Sequence, residues 1–206
     1  MTLVSHKFEN SPLGGVHKFE LSDGTSLLFV ADYLFDEFNP ALWNEGRELN
    51  KTEEEAFRFA AVCFRVEKIA LRLIARAEQY SLGLLVKLER RGFDALVAKA
   101  VISRLLDQKL LDDSRYAECW IRSRLNQKQA PSPRWLLVSL GKKGIDKYSS
   151  GKALKTVLDE ETEYSLLSRT LSKAKYHTEK KTAFLRARFK YEGFSLTVLN
   201  RFFEQS

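Results

Sequence analysis

The sequence is poor in the residues that usually carry chemistry. Two cysteines, three histidines and one methionine occur in 206 residues. Cys63 and Cys119 each sit inside an apolar pattern, which predicts buried free thiols behaving as small hydrophobes, and no dithiol or zinc site. His6, His17 and His177 are scattered, with no spacing that gathers metal ligands. Phosphate-cradling glycine loops, nucleophile elbows and Cys-His pairings are missing, so no catalytic residue, cofactor or metal is expected. The pair Asp112-Asp113 reads as a helix cap rather than as metal ligands. Only four prolines and ten glycines interrupt the chain, which predicts long elements. No apolar run reaches about 18 residues, so no membrane span is expected. The start, Met1 to Lys7, lacks the apolar centre of a signal peptide, and a cytoplasmic monomer is expected.

What is present is enough for a core: 44% hydrophobic and 12% aromatic residues. The net charge of +7 is a residual of uneven parts. Residues 1–64 carry 5 basic and 11 acidic side chains, residues 65–143 carry 17 and 8, and residues 144–206 carry 12 and 8. An acidic beginning therefore cancels much of a basic body, whose positive surface favours a polyanionic partner.

The fold class expected is mainly α, with a short N-terminal β-hairpin. Ser22-Asp23-Gly24 separates the apolar runs Val16–Leu21 and Thr25–Val30, and its Asp-Gly is a strong hairpin signal, expected to form the favoured two-residue turn with positive φ at both central residues. A short helix is expected from Asp32 to Phe38. A long helix is expected to start at Thr52, whose hydroxyl and Glu55 suit a capping box. Its apolar positions recur at helical spacing through Ala77. Arg65, Lys68, Arg72 and Arg76 fall on one face of it, where like charges repel at a cost an anionic ligand would relieve.

The rest is an internal repeat. Gly92, Gly144 and Gly193 are spaced 52 and 49 residues apart, and their surroundings align without gaps. Leu88, Leu140 and Phe189 precede them; Phe93, Ile145 and Phe194 follow; then come Asp94, Asp146 and Ser195. This predicts a helix closed by a left-handed glycine, an apolar anchor, and a side-chain cap for the next helix. With one more helix before each corner, the chain divides into an extension (1–51) and three-helix modules at 52–111, 112–159 and 160–206, expected to form an elongated curved body.

Several cations recur at matching places in the repeat. Lys87, Arg90 and Arg91 end the second helix of module one, and Lys142 and Lys143 take the corresponding places in module two. Module three has Tyr191 and Glu192 there, with Arg188 just before and Arg186 a half-turn earlier. Arg115, Arg122 and Arg124 lie on the first helix of module two, and Arg134 in a proline-stiffened helix start. Favourable pairing of last-turn cations with the helix dipole is the competing explanation. Tyr116, Trp120 and Trp135 read as core rather than as base-stacking residues.

These residues resemble the RecX family of bacterial recombination regulators. The likeness runs from Ala70-Leu71-Arg72 through Ala75-Arg76 to Arg90-Arg91-Gly92-Phe93. It continues through Leu110-Leu111-Asp112-Asp113-Ser114-Arg115-Tyr116-Ala117 and Arg122-Ser123-Arg124 to Lys142-Lys143-Gly144-Ile145. Departures are Ser81-Leu82-Gly83-Leu84-Leu85, where the family has a capping Glu, and Ser132-Pro133 for Gly-Pro. The first of these predicts a looser helix start. The resemblance implies a regulator of RecA in DNA repair, homologous recombination and the SOS response. Such a protein binds in the groove of the RecA filament on single-stranded DNA, damps ATPase and strand exchange, and bridges protomers through Arg and Lys. Direct binding of nucleic acid by the basic faces, or of an acidic protein partner, stays open at this point.

Overall fold

A computed structural model of the chain describes residues 1–11, 14–34, 43–127, 131–173 and 182–204. Three antiparallel strands begin it: β1 (Leu3–Ser11), β2 (Gly14–Leu21) and β3 (Ser26–Val30), in the order β1-β2-β3. The expected hairpin is β2–β3, and β1 is an addition to it. The turn between them also differs from the expected one. Gly24 alone has a positive φ, and Asp23 accepts hydrogen bonds from Thr25 N (2.9 Å) and Thr25 Oγ1 (2.8 Å). A three-residue loop with glycine last therefore replaces the two-residue turn.

A short 3-10 helix follows at Ala31–Tyr33, ending at Leu34 rather than running to Phe38; positions 35–38 lie outside the described residues. Helix α1 (Lys51–Arg76) is capped by Asn50, two residues before the expected Thr52. Asn50 accepts from Glu53 N at 2.8 Å, and Glu53 accepts from Asn50 N at 3.0 Å, so this box displaces the overlapping Thr52–Glu55 one. Glu53 also holds the Arg47 guanidinium, an anchor from outside the box.

The chain forms two compact units, Met1–Leu111 and Asp112–Ser206. In the first, α1 packs beneath β3, and α2 (Ser81–Glu89) and α3 (Ala95–Asp107) complete the core. Phe19, Phe29, Trp43 and Phe57 form an aromatic cluster at ring separations of 5.2–6.2 Å. Leu84, Leu88, Val101 and Leu105 extend the same core, so the sheet and the first three helices share one apolar interior. A buried ionic network crosses it. Arg104 bonds Glu67 on α1 and reaches Asp32 at 3.0 Å, while Tyr33 Oη donates to Glu67 at 3.0 Å. Glu67 is 1% and Arg104 is 5% exposed. Burial pushes the Glu67 carboxyl up from its ordinary value, against the pull of Arg104 and Tyr33.

The second unit holds α4 (Asp113–Leu125), α5 (Pro133–Lys142), α6 (Lys147–Val157), α7 (Glu160–Lys173), α8 (Thr182–Tyr191) and α9 (Leu196–Glu204). Helices α4 and α5 pack on α6, and α7 and α8 pack on α9. The glycine corner appears three times in the form expected. Gly92, Gly144 and Gly193 have φ of 84°, 82° and 91°. Phe93, Ile145 and Phe194 N–H groups close back to Leu88, Leu140 and Phe189 carbonyls at 3.4, 3.2 and 3.1 Å. Asp94, Asp146 and Ser195 then cap the following helices. Helix α2 has no side-chain cap, in keeping with its lost glutamate. Cys119 departs from expectation: Cys63 is buried, but Cys119 is exposed, on the side of α4 turned from the apolar residues Ala117 and Ile121.

Candidate protein and nucleic-acid interface

In the first unit, α1 presents Arg65, Lys68, Arg72 and Arg76, all exposed, on the side away from Cys63, Val66 and Ala70. Lys68 lies over the Phe64 ring at 4.4 Å. No hydrogen bond or ion pair engages Arg72 or Arg76 among the described residues. Arg90 and Arg91 are likewise exposed at the end of α2, where the glycine corner fixes their backbone. Lys87 is committed to the structure instead. Its ammonium donates to Gln79 Oε1 at 2.6 Å, and Gln79 Nε2 in turn donates to Ala77 O at 2.9 Å, pinning α2 to the end of α1.

In the second unit the cations divide. Arg122 is exposed and ion-paired to Glu118 at 3.1 Å. Arg115, Lys142 and Arg188 are exposed. Arg186 is spent on Asn200. The Arg134 guanidinium lies over Tyr191 at 4.1 Å, its backbone N–H donates to Glu192 O at 2.9 Å, and Ser132 Oγ donates to Glu192 Oε2 at 2.7 Å. Tyr191 and Glu192, which replace the basic pair of the other corners, thus hold the third corner against the start of α5.

Arg124 and Lys143 converge on aromatic rings. Arg124 lies 5.1 Å from Trp120, and the Lys143 ammonium lies 5.8 Å from Trp120 and 5.9 Å from Tyr116. Trp120 stacks on Trp135 with ring centres 6.0 Å apart and planes 11° apart. Trp135 is 49% exposed, which overturns its expected place in the core. Sequence periodicity marks both tryptophans as apolar but carries no signal for which apolar face stays open. The Glu67–Arg104 pair is likewise missed by sequence reasoning; its one legible sign is a glutamate on the apolar stripe between Val66 and Ala70.

Among the described residues no three His, Cys, Asp or Glu side chains gather as a metal site, and no helix is long and apolar enough to cross a membrane. The fold and these surfaces define a mainly helical protein, built on a repeated glycine corner, that displays cations and stacked aromatics. No family model matches the chain. It is 36% identical over 124 residues to the regulatory protein RecX of Treponema pallidum, across 59% of this chain and 75% of that one. It is 42% identical over 66 residues to the regulatory protein RecX of Halorhodospira halophila, across 32% of this chain and 41% of that one. A crystal structure of a regulatory protein RecX superposes with a TM-score of 0.63 at 16% identity, covering 100% of this chain and 99% of that one. That of RecX from Lactobacillus salivarius gives 0.55 at 21% identity, covering 71% and 97%. The chain belongs to the RecX family.

Proposed function

We propose that this protein regulates the RecA recombinase by binding its filament on single-stranded DNA, within the groove, and by lowering ATP hydrolysis and strand exchange. The observation that carries the reading is kinship with proteins named as regulatory RecX, at 36% identity over 124 residues. The three helix triplets act as modules (52–111, 112–159, 160–206), each offering cations near its glycine corner. Arg72, Arg76, Arg90 and Arg91 suit an anionic partner best, because no ion pair among the described residues satisfies them. Arg115, Arg122, Arg124, Lys142, Lys143 and Arg188 extend that role in the second unit. Lys87, Arg134 and Arg186 serve mainly to hold the fold. The protein acts in the cytoplasm as a monomer and without a cofactor.

Co-sedimentation with preassembled RecA filaments tests this reading. The full chain pellets with filaments, and Arg72→Glu/Arg76→Glu lowers its affinity at least about tenfold, a loss of ~1.4 kcal/mol. Equal binding to filament and to bare single strand, with a steep salt dependence, would instead favour direct nucleic-acid binding by the basic faces. That second reading draws on Arg124 and Lys143 beside exposed aromatic surface. Each phosphate contact then adds roughly 0.7 to the slope of log affinity against log salt.

A further inference from the structure

The stacked tryptophans of the second unit are poorly placed for a purely structural role. Trp120 comes from α4 and Trp135 from α5, and the outer partner keeps 49% of its surface in water. Val138, one turn further along α5, is 50% exposed, so the apolar face continues beyond the indole. Along α4, Tyr116, Trp120 and Arg124 follow at intervals of four and form one row. Lys143 closes that row from the end of α5, within 5.9 Å of both rings. Lys142, one residue before, is exposed. The Arg124 Nε is buried with no hydrogen-bond partner among the described residues.

We infer that Trp135, stacked on Trp120, which has Arg124 and Lys143 beside it, is a stacking platform for an unpaired base of single-stranded DNA. Three features select this occupant. A flat indole face left half in water suits a flat π-system, and every base has one. Arg124 and Lys143 beside Trp120, with the exposed Lys142 next in sequence, supply positive charge for the phosphates that accompany a stacked base. Duplex DNA offers only base edges, because its faces are already stacked, so the platform distinguishes single from double strands. An acidic peptide would engage the cations and leave the indole unfilled. The inference deepens the regulator reading and rests on it for the setting, a filament that carries single-stranded DNA. It adds a direct grip on a base.

The test uses the full chain, oligo-dT of twenty nucleotides, an abasic strand of equal phosphate number, a duplex of equal length, and polyglutamate of equal charge. Binding is read by fluorescence anisotropy of labelled strands at one fixed salt concentration. The wild type binds oligo-dT more tightly than the abasic strand or the duplex, and oligo-dT quenches its tryptophan emission. Trp135→Ala weakens oligo-dT binding about 5- to 100-fold, the range for losing one stacked base. It leaves abasic binding unchanged, and Trp135→Phe recovers most of the loss. Equal binding of oligo-dT and abasic strand by the wild type, or unchanged oligo-dT binding by Trp135→Ala, would overturn the platform. Polyglutamate binding as tightly as oligo-dT would overturn it in favour of an acidic protein partner. RecA ATPase inhibition, measured in parallel with the wild type, separates the two ideas. Inhibition without base dependence sinks the platform alone, whereas base dependence without inhibition sinks the regulator reading alone.

Discussion

Replacing Arg104 by Met removes the cation from the best-buried ionic network among the described residues. Glu67, 1% exposed, then keeps, among the described residues, only the Tyr33 hydroxyl at 3.0 Å. Breaking a buried pair by deleting one partner costs about 3–5 kcal/mol, chiefly because the other charge stays buried without compensation. The first unit spans Met1–Leu111. At roughly 0.05–0.15 kcal/mol per residue its stability is about 6–17 kcal/mol, so the variant still folds. With a urea slope of about 2 kcal/mol/M, the midpoint falls by about 1.5–2.5 M. Trp43 reports on this unit alone in a Trp120→Phe/Trp135→Phe background, since Trp43 packs at 5.3 Å from both Phe19 and Phe57. The deficit also depends on pH. Glu67 already titrates above its ordinary 4.5, so its contribution is greatest below that value and is lost as pH rises through the folded value. Losing Arg104 raises the folded value further, and the gap from wild type widens as pH climbs above 4.5. Glu67→Gln in the Arg104→Met background removes that widening and restores part of the stability. A midpoint shift under about 0.5 M, or a deficit that ignores pH and the Gln substitution, refutes the reasoning.

Other consequences follow from the corners, the sheet and the thiols. Gly193→Ala and Gly92→Ala each force a side chain into the left-handed region at about 1–2 kcal/mol. An added Cβ at Gly193 also meets Arg134 N at 3.1 Å, whereas nothing lies within 4 Å at Gly92. Thermal unfolding therefore drops further for Gly193→Ala in the second unit than for Gly92→Ala in the first, and equal losses would contradict the packing. Burial, then the nearby His6, holds the His17 imidazole below 6.5, so its contribution to stability is present above 6.5 and is lost as pH falls through the folded value. His17→Phe cancels that component, which the difference between urea midpoints of variant and wild type isolates from the opposite trend of Glu67. A thiol reagent modifies one cysteine of the native protein, Cys119, because Cys63 is buried and its thiol is pushed up to about 12 by burial. Two fast-reacting thiols would show that Cys63 is accessible.

The features legible in the sequence are those written in adjacent residues. A left-handed glycine, its apolar anchor and its cap lie within seven positions, and all three corners take the expected form. Strand β1 is hidden because Leu3 is its only fully buried side chain, so its alternation is faint until β2 pairs with it. The start of α1 offers two overlapping capping boxes, and a residue outside both, Arg47, accompanies the one in use. Glu67 and Arg104 are 37 positions apart on different helices, and local pattern cannot pair them. For the candidate interface, charge spacing places Arg72, Arg76, Arg90 and Arg91 on open surface. It gives no hint that Lys87, Arg134 and Arg186 are engaged within the fold. Nor does periodicity tell a buried aromatic from one left open, so the exposure of Trp135 emerges only from the structure.

The central claim is regulation of the recombinase, and a titration of ATP hydrolysis tests it most directly. RecA hydrolysing ATP on single-stranded DNA is mixed with increasing amounts of the full chain, at low salt. The expected result is inhibition that saturates at or below one chain per recombinase protomer, and weaker inhibition by Arg122→Glu/Arg124→Glu and by Lys142→Glu/Lys143→Glu. Unchanged hydrolysis at saturating protein would contradict it.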